Sequence, residues 1–345
     1  MTAAAWQPIK FGSRFIGPGH PMAIIAEVGI NHEGGADTCA RLIEAAARAG
    51  ADAIKLQTID ADENYVKGTA SHTLFSAAWL DRETTACMFA LARSLGMEAF
   101  TTAGDAATLD WVERLDPAAH KISSGLLTHL PVIRHAAATG RTVLLSTGMA
   151  TVAEIDDAVA ATRAKGAAVG LFQCTSIYPA PIATLNLAAV RWLAERSAAP
   201  TGFSDHSLGD EASVLSVAAG ACMLEKHFTL DVTRPGYDHP ISLDERQFAA
   251  MVKRIRAAEA MLGRPEKAPA EGERERAAIM RRIVVARRPI KAGETLSWDS
   301  VGLKRPLPGT QGLAPREAES LIGRVAARAV ALDEPIRKDA LVPPR

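Results

Sequence analysis

Two tripeptides, Ser204-Asp205-His206 and Glu225-Lys226-His227, close apolar β-type runs with polar and ionisable groups. A strand buried in a core does not finish this way, because burying an unpaired charge costs on the order of several kcal/mol. Side chains alternate faces along a strand, so Ser204 shares a face with His206 and Glu225 with His227, while Lys226 points away toward a salt-bridge partner. Two imidazoles ending neighbouring strands have the spacing to hold one divalent cation, with positions left for water and substrate. The alternative is a pair of hydrogen-bonded structural histidines; the flanking acids Asp205 and Glu225 favour the metal. Two lysines raise the same question. Lys55 in AIKLQ and Lys121 in HKISS sit among isoleucine and leucine, an awkward setting for side chains that merely snorkel to solvent. With the hydroxyls of Thr102, Ser124, Ser146 and Ser204 they would make a basic pocket suited to a phosphate and a carboxylate.

These groups need a frame that brings distant strand ends together. Eight β-type runs, at 23–28, 53–57, 98–102, 120–123, 142–146, 169–174, 201–204 and 222–227, alternate with alanine-rich amphipathic stretches. Helices are expected at 37–50, 151–166, 210–220 and 243–263, several closed by glycine. Eight βα units in about 260 residues indicate an α/β fold of the (β/α)8 TIM-barrel type, whose active site lies at the C-terminal ends of the strands. Every strand end carries reactive groups, from Glu27, Asn31 and His32 on the first to Glu225 and His227 on the eighth. Gln57, Thr102, Ser146, Ser176 and Tyr178 lie on or just after the strands between.

The barrel is expected over 1–263. Residues 264–282, charged and with two prolines at 265 and 269, read as a linker or surface segment. A small β-rich module follows over 283–345, with strand-like RIVVARR and RVAARAV, and a core meagre enough that docking onto something else is expected. The 345 residues include 39 basic and 39 acidic ones, so no overall field draws the chain to nucleic acid or an anionic membrane. Cys39, Cys87, Cys174 and Cys222 form no CxxC pair, which argues against a zinc ribbon or disulfide scaffold and for reduced, mostly buried thiols. Neither a signal-type N-terminus nor a long apolar stretch is present, and a cytoplasmic location is expected.

Taken together these stretches resemble the sialic acid synthase family, N-acetylneuraminate synthase and related nonulosonic acid synthases. The resemblance runs through IGPGHPMAIIAEVGINHEGG (16–35), KLQT (55–58), KISSG (121–125), LLSTGMAT (144–151), CTSIYPAP (174–181), GFSDHSLG (202–209), EKHFTLD (225–231), RPGYDHPISL (234–243) and KAGETL (291–296). Segment 283–345 looks like that family's antifreeze-like SAF domain of β-clip fold, its KRP motif matched by Lys304, Arg305 and Pro306. The resemblance implies condensation of phosphoenolpyruvate with the open-chain aldehyde of an N-acyl amino sugar, giving a nine-carbon 2-keto sugar acid and phosphate. It assigns phosphoenolpyruvate contacts to Lys55, Thr102, Lys121, Ser124, Ser146 and Ser204, and makes His206 and His227 ligands of Mn2+ or Mg2+. Glu27, Gln57, Tyr178 and Asp238 match residues near the acceptor, with Glu27 managing a proton or orienting water, and Glu225 would support His227. Arg305 matches an arginine that reaches a partner's barrel, which implies a homodimer. Three departures bear on the acceptor: TTAG at 101–104 in place of Ser-Thr-Pro-Phe, Ser176 in place of asparagine, and Ile279 in place of an aromatic. They leave open N-acetylmannosamine, a precursor of legionaminic or pseudaminic acid, or a phosphorylated sugar.

Overall fold

The computed structural model describes residues 6–264 and 266–343, and inter-residue contacts divide the chain directly after Arg264. In the first unit eight parallel strands close into a barrel: β1 (Ala23–Gly29), β2 (Ala53–Thr58), β3 (Glu98–Ala103), β4 (His120–Ile122), β5 (Val143–Ser146), β6 (Val169–Cys174), β7 (Thr201–Asp205) and β8 (Met223–His227). Each strand pairs with the next in sequence and β8 returns to β1, in the register His227 beside Glu27. The helices are α1 (Ala36–Arg48), α2 (Ala61–Asn64), α3 (Ala70–Ala77), α4 (Arg82–Ser94), α5 (Ala106–Glu113), α6 (Leu130–Ala138), α7 (Val152–Arg163), α8 (Ala188–Ser197), α9 (Glu211–Ala218) and α10 (Glu245–Leu262). All eight expected strands are present, their bounds shifted by a residue or so, and the four expected helices end one to three residues early because glycines such as Gly50 and Gly166 lie beyond the last helical turn.

The two faces of the strands are segregated. Outward residues such as Ile24, Ile54, Leu56, Phe203 and Leu224 pack against the helices. Inward residues at the N-terminal ends, Ala23, Ile25, Phe100, Leu144, Phe172 and Met223, fill the barrel floor. A two-stranded hairpin, Ile9–Phe11 with Arg14–Ile16, plugs that floor and sets the Phe11 ring edge-on to Phe100 at 5.3 Å between centroids. Its three-residue strands are too short to show an alternating pattern in the sequence. Gly202 leaves room for its neighbours, since a β-carbon there would lie 2.6 Å from the Met223 carbonyl oxygen. With this end of the barrel apolar, the buried ionisable groups inside it, Glu27, Lys55, Lys121, Glu225 and His227, stand toward the C-terminal mouth.

In the second unit β9 (Ile283–Ala286) pairs antiparallel with β10 (Val301–Lys304). Bridges Ile290 to Val330, Thr295 to Val325 and Ala326 to Leu341 complete a small β-rich body. Its core holds Val284, Leu296, Val301, Leu321, Val330 and Ile336, all buried, so the unit has more of an interior than its length suggests. The segment read as a linker carries helix α11 (Glu273–Met280), whose face is charged and buries none of its residues. The four cysteines are free: Cys39 and Cys174 are buried, Cys222 is half-buried and Cys87 is exposed. No helix among the described residues is long and apolar enough to cross a membrane.

One buried ion pair fixes β7 against β8. Lys226 faces outward, and its Nζ lies 3.1 Å from Asp205 Oδ2 with both side chains fully buried. It also donates to the Ser207 carbonyl, while Asp205 accepts from Ser207 N–H and from the Ser207 and Ser213 hydroxyls. Removing one partner leaves the other charge buried and unpaired, so Lys226→Met should cost about 3–5 kcal/mol of unfolding free energy. Urea unfolding should show this loss, and the double variant Lys226→Met, Asp205→Asn should recover part of it.

Candidate active site

The mouth of the barrel opens as a cavity of about 570 Å3. Its walls include Glu27 from β1, Lys55 and Gln57 from β2, Thr102 from β3, Lys121 from β4 and Ser146 from β5. Ser124, Ser176 and Tyr178 come from the segments after β4 and β6, and Ser204, His206 and His227 from the ends of β7 and β8. Of the residues that the family resemblance assigns to substrate and metal, all but Asp238 and Arg305 therefore line one space. Asp238 stands beside it against His227, and Arg305 is exposed in the second unit.

At the cavity floor two lysines and two carboxylates neutralise one another. Lys55 Nζ lies 2.9 Å from Glu27 Oε1 and 3.7 Å from Glu225 Oε1, and Lys121 Nζ lies 3.5 Å from Glu225 Oε2. Lys121 also donates to Ser146 Oγ at 2.7 Å and stands 5.2 Å from the Phe172 ring centroid, and Ser204 Oγ donates to Glu225 at 3.1 Å. Burial lowers the Lys121 pKa, with Glu225 only partly opposing it. Burial also disfavours charge on Lys55, but the nearby carboxylates Glu225 and Glu27 outweigh it and raise that pKa. Of the two carboxylates, burial pushes Glu27 up to about 7, whereas Lys121 and Lys55 overcome burial and hold Glu225 below its ordinary value. Gln57 Nε2 donates to Glu27 Oε1 at 2.7 Å, so Oε1 is committed and Oε2 is buried without a hydrogen-bond partner among the described residues.

The histidines converge as the strand alternation requires. Their ring centroids are 5.5 Å apart. His206 donates through Nδ1 to the Thr175 carbonyl at 2.8 Å, which fixes the tautomer and leaves Nε2 as a lone-pair donor, 3.2 Å from the Tyr178 hydroxyl. His227 Nδ1 is buried without a hydrogen-bond partner among the described residues, 3.5 Å from Asp238 Oδ2. Burial depresses both pKa values, to about 4 for His206 and about 3 for His227, so both imidazoles are neutral near pH 7, as metal ligation requires. Neutral, convergent and with one orphaned nitrogen, this pair fits a divalent cation. Among the described residues no group of three or more His, Cys, Asp or Glu has metal-binding geometry, so further coordination would fall to water and substrate.

Two expectations need correction. Asp205 does not flank the histidine pair; it points outward to Lys226, because it is one residue out of phase with His206. Glu225 has the right face but pairs with Lys55 and Lys121, and Asp238 is the carboxylate beside His227. The cavity also has walls that strand reasoning did not find: Ile59, Asn64, Tyr65, Ser71 and Phe75 from the excursion between β2 and α4, and Met149 and Cys174 from the β5 and β6 side. The excursion residues lie up to 17 positions past the end of β2, where no strand pattern points to the mouth. Asn31, expected at the mouth from the end of the first strand, does not line the cavity: its amide accepts from Asp238 N–H and donates to the Phe228 carbonyl and the Ser242 hydroxyl, pinning the loop that carries Asp238.

A closed (β/α)8 barrel with a buried lysine pair at its mouth, followed by a small β-rich unit, defines a barrel enzyme with an appended domain. Residues 42–267 match the NeuB family and residues 281–342 the SAF domain, and the chain belongs to the NeuB family. It is 40% identical over 306 residues to an uncharacterized protein of Methanocaldococcus jannaschii, covering 88% of this chain and 91% of that one. It is 35% identical over 319 residues to the N,N'-diacetyllegionaminic acid synthase of Legionella pneumophila, covering 87% of this chain and 89% of the relative. Among solved structures it resembles the N-acetylneuraminic acid synthetase of Leptospira borgpetersenii, crystallised with citrate, at a TM-score of 0.76 and 32% identity over 79% of this chain and 95% of that one.

The shifted groups set the pH response. His206 and His227, with His32 also lowered to about 4 by burial, bind protons in the unfolded chain below the ordinary value of 6.5 but not in the folded one until lower pH. The unfolded state therefore holds more protons between about pH 6.5 and 4, and stability falls as pH falls through that window. Glu27 has the opposite sign: between its ordinary 4.5 and about 7 the folded state holds the extra proton, so its contribution is lost as pH rises. With chelator present, urea unfolding should show acid destabilisation carrying more than one proton. Glu27→Gln should gain stability relative to the parent from pH 5 to pH 7, by roughly 1–3 kcal/mol. A pH-independent difference between the two would contradict this account of Glu27.

Proposed function

We propose that this chain condenses phosphoenolpyruvate with the open-chain aldehyde of an N-acyl amino sugar, giving a nine-carbon 2-keto sugar acid and phosphate. The observation that carries the reading is the convergence of Lys55, Lys121 and the hydroxyls of Thr102, Ser124, Ser146 and Ser204 on the cavity that also holds the histidine pair. The names of the Legionella and Leptospira relatives point the same way.

Lys55 and Lys121 hold the phosphate and carboxylate, trading part of their pairing with Glu225 for the substrate's charge. His206 and His227 would hold Mn2+ or Mg2+, which supplies Lewis-acid polarisation of the aldehyde oxygen. With both substrates fixed, C3 of phosphoenolpyruvate attacks the aldehyde carbon and leaves an oxocarbenium centre at C2. Water adds at C2, and the tetrahedral adduct breaks its C–O bond to expel phosphate. Glu27, titrating near neutrality, takes the water's proton at Oε2, while Gln57 and Lys55 hold Oε1. Tyr178, Ser176 and Asp238 border the acceptor beside the histidines. A homodimer in which Arg305 completes the partner's site, and a cytoplasmic location, belong to the same proposal.

Purified protein with Mn2+ should release phosphate from phosphoenolpyruvate with one of N-acetylmannosamine, its 6-phosphate or a diacetamido hexose. Release should stop with chelator and in His206→Ala. Lys121→Ala should lower kcat/KM for phosphoenolpyruvate by roughly 10²–10³-fold. A folded protein that releases no phosphate with any of these acceptors would sink the reading. Lys121, with its depressed pKa, is also the amine that a Schiff-base aldolase would use. Borohydride should trap no adduct on it, and a trapped adduct would favour the aldolase.

A further inference from the structure

We propose that Glu33 is a positioning residue for the candidate site: through Arg234 and His239 it clamps the loop after β8, and so holds Asp238 against His227. The inference rests on the reading of His206 and His227 as metal ligands and adds to it a residue from the turn after β1.

The loop closes on itself where Phe228 bridges Leu243, and it brings Asp238 Oδ2 to 3.5 Å from His227 Nδ1, a buried nitrogen with no hydrogen-bond partner among the described residues. Asp238 is pinned by its own backbone: its N–H donates to Asn31 Oδ1 at 3.0 Å, and its carbonyl accepts from the Ser242 hydroxyl at 2.6 Å. The stretch before it, 231–236, is largely exposed and is held by Glu33. Arg234 Nη2 lies 2.7 Å from both carboxylate oxygens of Glu33, and His239 Nε2 donates to Oε1 at 2.9 Å. That bond makes Nε2 the protonated nitrogen of His239. Its Nδ1 therefore accepts from the Thr229 hydroxyl at 2.7 Å, and Thr229 Oγ1 accepts from Asp231 N–H at 3.1 Å. One carboxylate thus ties the loop at 231, 234 and 239, on both sides of Asp238.

The turn after β1 is shaped to present that carboxylate. The N–H groups of Asn31, Glu33 and Gly35 donate in succession to the carbonyls of Val28, Ile30 and His32, and His32 Nδ1 accepts from Gly34 N–H at 3.1 Å. Glu33 sits at φ 54°, the left-handed region that a residue with a long side chain rarely adopts. A glycine would adopt it freely but would bring no carboxylate. A half-exposed Glu–Arg pair by itself contributes little. The weight comes from His239, which is 2% exposed: without Glu33 its Nε2 proton would be buried with no acceptor, and the loop would have to open to satisfy it. At the site the effect is electrostatic. A carboxylate fixed beside His227 adds negative charge next to a divalent cation and steadies the imidazole that would hold it.

The test is Mn2+ affinity of the full chain, measured by calorimetry. Glu33→Ala should weaken Mn2+ binding by about tenfold, and Arg234→Ala by less. Glu33→Gln, which keeps an acceptor for the His239 N–H, should recover part of the loss. In an Asp238→Asn background Glu33→Ala should weaken binding by less than about twofold, because the residue acts through Asp238. Equal losses in the two backgrounds would mean a general loosening of the barrel and would overturn the proposal, as would parental affinity in folded Glu33→Ala. Arg234→Ala, run through the same cycle, keeps the test open if Glu33→Ala fails to fold. Should the parent bind no Mn2+, the metal reading fails by itself, and amide hydrogen exchange then decides: faster exchange confined to 231–239 in Glu33→Ala supports the clamp, and unchanged exchange there overturns it.

Discussion

Two ammonium groups inside a closed barrel are the constraint on which the rest depends. Lys55 and Lys121 cannot remain charged there unless carboxylates stand within a few ångströms, and Glu27 and Glu225 do so. The four groups do not settle symmetrically. Glu225 lies between both lysines and stays ionised, while Glu27 answers to Lys55 alone and is pushed toward neutral pH. One carboxylate thus neutralises the lysines and the other is left able to exchange a proton, a division set by position rather than by residue type.

The barrel makes this pairing possible by sorting residues by face. Along β8 the sequence Glu225-Lys226-His227 sends the acid and the imidazole inward and the lysine outward, and β7 does the same with Ser204, Asp205 and His206. Lys226 and Asp205 then meet in the layer between barrel and helices, a second buried pair with no chemical role of its own. The hairpin at the floor completes the arrangement: with Phe11 and Ile16 filling the N-terminal end, solvent and substrate have only the mouth.

The mouth itself is uneven. Most β-to-α connections are short, but the one after β2 carries two small helices that bring aromatic rings and an amide to the cavity edge. The base of the cavity, charge against charge, is therefore bordered by a wall whose chemistry is apolar and amide-like.

Much of this was legible in the chain. The eight strands, their faces and twelve of the cavity's residues follow from a two-residue period and from ionisable groups at the ends of apolar runs, because both are local properties of extended backbone. The partners of those groups were not legible. Whether Glu225 would serve a histidine or two lysines, and whether Asp205 or Asp238 would stand beside the pair, depended on which strands lie side by side and on how far each side chain reaches. The wall was hidden for the same reason, since Asn64, Tyr65 and Phe75 are ordinary loop and helix residues until folding carries them to the cavity edge. The sequence by itself determined which groups face inward; closure of the barrel decided which of them meet, because charge pairing and cavity shape are properties of distances across strands that the chain order does not contain.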